Sequence, residues 1–232
     1  IKSNAYGIGV IEYIKILIEC GYKSFFLGNI AEGIQVREKY KNIDIYILNC
    51  GYPFNISNIR KYDLIPVINN MEDLILCSKF HRNKYPCIIH IDTGMNRLGI
   101  KLKNIANPIN NKFFYKLNIK FIMSHLVLAE EKDNLMNSKQ LNELNQCSNL
   151  LSIITKKKIQ SSICNSSGIW LGKKYLLDIV RPGAALLGIN PSINRKNPVK
   201  EAISIYAQIT QISNVAKNST IGYGKTITLK KN

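Results

Sequence analysis

The sequence predicts an α/β fold, a (β/α)8 barrel followed by an antiparallel β domain. Short, almost wholly apolar runs alternate with longer helical patterns along the chain, which is typical of parallel strands buried on both faces. After Pro198 the pattern changes, and residues 202–215 and 221–229 alternate apolar and polar side chains without an intervening helix. We therefore expect residues 1–197 to form the barrel and residues 198–232 to begin the β domain.

The individual elements follow from hydrophobic periodicity. An apolar stripe on residues 11–18 predicts a first helix, and Gly21 is a typical helix stop. Further helices are expected at residues 31–40, 71–80 and 138–155. Strands are expected at residues 24–27, 43–48, 64–68, 87–91, 119–124, 159–164 and 179–180. The repeating unit is a strand followed by a helix, which favours a barrel over an open sheet.

Composition and charge narrow the class of protein. The net charge of +17 raises the question of a nucleic-acid partner, but the lysines are scattered through the 232 residues without interleaved aromatic side chains. The six cysteines form no CxxC pair, which favours free thiols in a reducing compartment. The first residues lack the apolar core of a signal peptide, and no apolar run is long enough to span a bilayer. We expect a soluble cytoplasmic protein that binds neither nucleic acid nor membrane.

The first nine residues, IKSNAYGIG, contain the first candidate site. Lys2 follows the apolar Ile1 and precedes a turn-prone segment. A lysine becomes a nucleophile or a base when it is desolvated or lies beside other cations. The hydroxyl of Tyr6 can bind an anion such as phosphate. Taken alone, Lys2 has the ordinary alternative of a solvated surface charge.

Further polar side chains follow the predicted strands, on the face where barrel proteins build their sites. They are Arg97 in a glycine-bounded turn, His125, Ser166, Arg181 and Gly183. Each has a structural alternative, because a histidine can be a satisfied core residue, an arginine a surface ion pair and a glycine a turn residue. Their recurrence at successive strand ends argues against the structural alternative for all of them together; Arg97 could bind an anion or a phenolate, and the Gly183 N–H could approach a phosphate.

Six segments stand out along the chain, in the order KSNAYGIG, DTGMNRLG, SHLVLAEE, NSSGIW, DIVRPGAALLGINPS and IGYGKT. In that order they resemble motifs of the alanine racemases, which use pyridoxal 5′-phosphate (PLP) on a (β/α)8 barrel followed by a β domain. The resemblance covers nearly the whole chain. It implies an isomerase that interconverts L- and D-alanine and supplies D-alanine for peptidoglycan.

The resemblance also implies roles for individual residues. Lys2 binds PLP covalently and acts as base on one face of the substrate, and Tyr223 acts on the opposite face from the other subunit of a homodimer. The remaining cofactor contacts are Tyr6, Ser166, Gly183 and Ala184 at the phosphate, Arg181 at the pyridine nitrogen, His125 in support of Arg181, and Arg97 near the phenolic oxygen.

Two residues depart from the family pattern. His90 stands where many members have a lysine, carbamylated in some, that braces the arginine matching Arg97, and Ile8 replaces a usual histidine. The chain also begins inside the motif of the first strand and stops early in the β domain, so we expect a barrel lacking most of its first strand and a fragment with little activity alone. A related racemase with another amino-acid substrate, an inactive PLP-binding remnant and a basic nucleic-acid binder are the alternatives.

Overall fold

The computed structural model describes residues 1–80, 84–192 and 196–230. Six parallel strands form one sheet and are paired in chain order. They are β1 (Ser24–Asn29), β2 (Asp44–Asn49), β3 (Ile65–Ile68), β4 (Pro86–His90), β5 (Asn118–Met123) and β6 (Gln160–Ser162). All six were predicted from the apolar runs, and together they form part of a barrel.

Helices connect these strands, as the alternating pattern predicts. They are α1 (Ser3–Tyr6), α2 (Val10–Glu19), α3 (Ile30–Lys39), α4 (Ile56–Lys61), α5 (Met71–Phe80), α6 (Leu102–Ile105), α7 (Asn111–Tyr115), α8 (Leu135–Thr155) and α9 (Lys173–Leu176). Asparagine side chains cap several of these helices. Asn29, Asn55 and Asn134 each accept a hydrogen bond from a backbone N–H in the first turn of α3, α4 and α8.

The predicted strand at residues 179–180 is not a regular strand. The segment still runs beside β6, because the Asp178 amide donates to the Ser161 carbonyl at 3.2 Å and the Arg181 amide donates to the Cys164 carbonyl at 3.0 Å. Between these two bonds, the Ile179 carbonyl accepts from the hydroxyl of Ser162 at 2.7 Å. A side-chain donor thus replaces a backbone donor and interrupts the ladder.

The two faces of the sheet bury different sets of side chains, since neighbouring residues of a strand point to opposite faces. Ile45 and Ile47 of β2 belong to the large cluster between sheet and helices. Tyr46 belongs to a smaller cluster with Phe121 on the other face. Its ring lies 4.7 Å from that of Phe26 and 5.6 Å from that of Phe121, measured between centroids. These three aromatic rings form the floor of the candidate site.

The six cysteines are free thiols, which confirms that expectation, and all except Cys20 are buried. Burial raises the pKa of the Cys164 thiol to about 11. No helix in the described ranges is long and apolar enough to cross a membrane.

Residues 201–232 form a separate unit, and the first unit ends at Lys200. Two short antiparallel strands, β7 (Thr220–Ile221) and β8 (Ile227–Thr228), flank a 3-10 turn at Tyr223–Lys225. The predicted strand at residues 202–215 is not formed. A period-two pattern gives a strand only where a partner supplies the ladder bonds, and none of the described residues pairs with this segment.

Gly99 provides a test of how tightly the loop after β4 is packed. Its φ is +118°, and an added Cβ would lie 2.5 Å from the Asp92 nitrogen. Gly172 is a matched control, because its φ is +127° but an added Cβ would meet nothing within 4 Å. We predict that Gly99→Ala lowers the free energy of unfolding by about 2 kcal/mol more than Gly172→Ala does. Denaturant unfolding of both variants measures the difference, and equal losses would contradict the packing argument.

Candidate functional site

A cavity of about 640 Å³ extends along the inner face of the sheet, from Ser24 at the start of β1 to His125 and Arg181, which lie beyond the strand ends. The aromatic rings on the inner face of the sheet line its floor. Seven of the nine predicted site residues also line it, namely Lys2, Tyr6, His125, Ser166, Arg181, Gly183 and Ala184. The structure thus brings together residues from both ends of the first unit.

The other two predicted residues lie elsewhere. Arg97 is exposed and does not line the cavity, although its charge contributes to the lowered pKa values of His90 and His125. Tyr223 belongs to the second unit, where its side chain is fully exposed. Ile8 is also exposed, at 43%.

The helix α1 is a single left-handed turn. Its residues have φ angles between 52° and 59°, and none of them is glycine. The Tyr6 amide donates to the Lys2 carbonyl at 2.9 Å, and the Gly7 amide donates to the Ser3 carbonyl at 3.1 Å. A left-handed residue other than glycine costs about 1–2 kcal/mol, so the surrounding structure must hold this turn. The sequence predicts a turn here but gives no sign of its handedness.

A cluster of hydroxyl and amide groups occupies one side of the cavity. The Ser166 hydroxyl oxygen accepts hydrogen bonds from the Gly183 amide at 3.0 Å and the Ala185 amide at 3.1 Å. A Cβ at position 183 would overlap the Tyr6 hydroxyl, so only glycine lets the two segments approach this closely. Two hydroxyls and neighbouring backbone N–H groups together form a site that suits an anion.

Arg181 is a partly buried basic residue of the site. Its guanidinium donates to the Ser162 hydroxyl oxygen and, at 2.5 Å, to the Ser124 carbonyl. Burial lowers the pKa of Arg181 to about 10, so the side chain remains charged at neutral pH. These two contacts come from Ser162, the last residue of β6, and from Ser124, the residue after β5.

His90 and His125 are neutral. Burial, followed by the charge of Arg181, lowers the pKa of each to about 4. The ring nitrogen Nδ1 of His90 lies 2.8 Å from Oδ1 of Asn69. The Asn69 amide nitrogen donates to the Leu48 and Val67 carbonyls, so its oxygen must accept and Nδ1 of His90 must carry the proton. His90 is therefore held by Asn69 rather than by Arg97.

Gln140 is a supporting residue that the sequence analysis missed. It is completely buried on α8. Its amide nitrogen donates to the His125 carbonyl at 2.8 Å and to the Thr93 hydroxyl at 3.1 Å, and its oxygen accepts from the Val127 amide at 3.0 Å. The available signal was its position, four residues before Leu144 on the apolar face of a helix.

Lowering the pH should destabilise the first unit, because its fold keeps both histidines neutral. Their pKa is about 4 in the fold against an ordinary 6.5, so the stabilising contribution is complete above pH 6.5 and is lost as the pH falls towards 4. The free energy of unfolding should fall by at most about 1.4 kcal/mol per pH unit for each histidine. Denaturant unfolding at several pH values measures this slope. His125→Gln should make the dependence of the free energy of unfolding on pH shallower. An unchanged slope would contradict the conclusion that the fold keeps His125 neutral.

Comparison with known proteins agrees with this geometry. The family model described as "Alanine racemase, N-terminal domain" matches residues 1–191. Two alanine racemases, from Rickettsia bellii and Rickettsia canadensis, are 38% and 36% identical to this chain over its whole length, and it covers 57% and 63% of theirs. The crystal structure of alanine racemase from Bartonella henselae with covalently bound pyridoxal phosphate is 31% identical, with a TM-score of 0.83 over 99% of this chain and 64% of that one.

The chain therefore spans less than two thirds of the length of these relatives. The family model nevertheless covers almost the entire first unit, including the left-handed turn, the hydroxyl–amide cluster and Arg181. On that match, the chain belongs to the alanine racemase family through its N-terminal domain.

Proposed function

We propose that this protein is a PLP-dependent alanine racemase that interconverts L- and D-alanine and so supplies D-alanine for peptidoglycan. The observation that carries the proposal is the cavity where Lys2, Arg181 and the hydroxyl–amide cluster meet. The Bartonella henselae relative, whose structure has covalently bound pyridoxal phosphate, supports it.

The residues present fit PLP. Glycine at position 183 leaves room for the Tyr6 hydroxyl, and the amides at Gly183 and Ala185 already converge on one hydroxyl oxygen of Ser166. We propose that these groups, with Ala184 beside them, hold the phosphate. Arg97 would lie near the phenolic oxygen once the cofactor is bound.

Arg181 suits the pyridine nitrogen. A guanidinium has only donors and keeps its protons at neutral pH, so it can bind an unprotonated ring nitrogen but cannot protonate it. Neutral His90 and His125 add no competing positive charge. The consequence is a weaker electron sink, which favours rapid reprotonation of the substrate over its breakdown.

Bound PLP withdraws electrons from the alanine Cα and so makes its proton removable. We propose that Nζ of Lys2 moves this proton on one face and that the Tyr223 hydroxyl moves it on the other. A two-base arrangement is what inversion requires, because the proton must leave one face and return to the opposite one.

We propose that the working enzyme is a homodimer in which Tyr223 enters the site of the partner subunit. Its complete exposure in the second unit is compatible with this role. On this proposal the strands described here belong to a (β/α)8 barrel domain, residues 1–197, and a β domain begins at residue 198. Five buried free thiols support a cytoplasmic location, where cysteines stay reduced.

Replacing Lys2 tests cofactor binding directly. We expect the protein with added PLP to show the visible absorbance band of lysine-bound PLP, and borohydride reduction to fix PLP on Lys2. Lys2→Ala should lose both. Lys15→Ala is the control, because that side chain is 69% exposed on α2 and does not line the cavity. Trapping of PLP on another lysine would overturn the assignment.

Replacing Tyr223 tests the two-base mechanism. Tyr223→Phe should lower racemisation by about 10²–10⁴-fold, since one proton-transfer group is removed, while lysine-bound PLP is retained. Exchange of the Cα proton with solvent deuterium should persist for one alanine enantiomer and be lost for the other. Tyr206→Phe is the matched control, an exposed tyrosine in the same unit. Equal loss of exchange for both enantiomers would contradict the assignment of Lys2 and Tyr223 to opposite faces of the substrate.

Measuring the turnover of other amino acids tests whether alanine is the substrate.

A further inference from the structure

The left-handed turn of α1 needs an explanation, because four consecutive non-glycine residues adopt a conformation that L-amino acids disfavour. Such strain persists where surrounding groups hold it in place, and it is found preferentially at functional sites. The turn lies between Lys2, which lines the cavity, and α2. Whatever holds the turn therefore also fixes the direction in which the main chain presents Lys2.

Glu32 is the residue that ties this turn to the sheet. One carboxylate oxygen accepts a hydrogen bond from the Asn4 amide at 3.0 Å, and the other accepts from the Gly28 amide at 2.7 Å. Asn4 lies in the strained turn, and Gly28 lies near the end of β1. The Glu32 side chain is half-buried, and both bonds are charge-assisted: the bond from Gly28 is partly shielded from water, whereas the bond from Asn4 is exposed.

A simpler role for Glu32 would be to cap its own helix. It lies three residues after Asn29, the N-cap of α3, which is the position of a capping-box glutamate. In a capping box, however, the carboxylate bonds back to the amide of the N-cap residue. Here the carboxylate bonds to Gly28 and Asn4 instead, and the Asn29 side chain caps the helix by accepting from the Glu32 amide at 3.0 Å.

The same contact brings Lys2 against β1. A Cβ at position 28 would lie 3.6 Å from the Lys2 Cβ and 3.0 Å from the Glu32 carboxylate. Glycine at position 28 thus allows Lys2, the strand end and the carboxylate to meet. The Asn4 side chain adds a second anchor, because its oxygen accepts from the Val10 amide at 2.9 Å and so joins the turn to α2.

We propose that Glu32 is a positioning residue for Lys2. By accepting from both Asn4 and Gly28 it holds the left-handed turn against β1 and so directs the Lys2 side chain into the cavity. Glu32 takes no proton from the substrate on this view. The inference rests on the proposed function only in so far as Lys2 is taken to bind PLP.

Glu32→Gln tests the proposal, because it keeps the shape of the side chain but sets an NH2 group against one of the two amides. In the cofactor-free protein, we expect hydrogen exchange at the Asn4 and Gly28 amides to rise about tenfold, the change that corresponds to losing one hydrogen bond to a charged group. Glu38→Gln is the matched control, an exposed glutamate on the same helix. Unchanged exchange at both amides would overturn the proposal.

The effect on Lys2 is measured with two ligands. PLP can form the covalent bond to Lys2, whereas pyridoxine 5′-phosphate has the same phosphate and ring but no aldehyde. Glu32→Gln should slow borohydride-trappable PLP binding about tenfold and leave the affinity for pyridoxine 5′-phosphate unchanged. A general loss of structure would weaken both ligands equally and would contradict the positioning role.

Two further outcomes are informative. If the unaltered protein forms no lysine-bound PLP, the proposed function fails, while the hydrogen-exchange result still decides whether Glu32 holds the turn. If Glu32→Gln does not fold, Glu32→Asp, which keeps the charge but is one methylene shorter, is measured in the same way. Wild-type exchange and trapping in Glu32→Asp would then overturn the proposal, since the shorter side chain cannot bridge both amides.

Discussion

The site depends on Arg181, a partly buried cation that forms no ion pair with a carboxylate among the described residues. Arg181 is satisfied by a hydroxyl oxygen and a backbone carbonyl, which accept its hydrogen bonds without cancelling its charge. That charge then acts on its neighbours and helps to keep His90 and His125 neutral. The cavity is lined by two basic side chains, Lys2 and Arg181, by one acidic side chain, Glu130, and by the neutral His125, so it suits an anionic ligand better than a cationic one. The hydrogen bonds from Arg181 to Ser124 and Ser162 also join the ends of β5 and β6. One side chain thus sets the positive charge of the cavity and the spacing of these two strand ends.

The sequence predicted the parallel sheet well, because burial on both faces leaves near-continuous apolar runs such as those of β2 and β4. Seven of the nine site residues named from the sequence also line the cavity, since parallel strands all present their carboxyl ends at one edge. It did not predict the handedness of α1. That turn is held by Glu32, which is 28 residues from Asn4. The local sequence around the turn cannot indicate a contact with so distant a residue.

The same limit explains the two misjudged strands. Residues 202–215 have the right alternation for a strand, but alternation describes only which side chains share a face and says nothing about where a partner strand comes from. At residues 179–180 the partner strand, β6, is present, but the Ile179 carbonyl accepts its hydrogen bond from the Ser162 hydroxyl. The Ser162 hydroxyl oxygen also accepts a hydrogen bond from Arg181. The backbone ladder beside β6 is therefore interrupted at the residue that binds the Arg181 guanidinium. Local irregularity and function thus coincide at this position.

The contact between Tyr6 and Gly183 bears on how the sheet is arranged. Tyr6 lies four residues after the cavity lysine, near β1, and Gly183 follows the segment that runs beside β6, the opposite edge of the sheet. For these two residues to touch, the sheet must curve until its edges face each other across the cavity. A flat or openly twisted sheet of six strands would keep them apart, because neighbouring strands are about 4.8 Å from each other. The close approach that requires glycine at position 183 therefore supports a barrel, and it makes the phosphate cluster depend on that curvature.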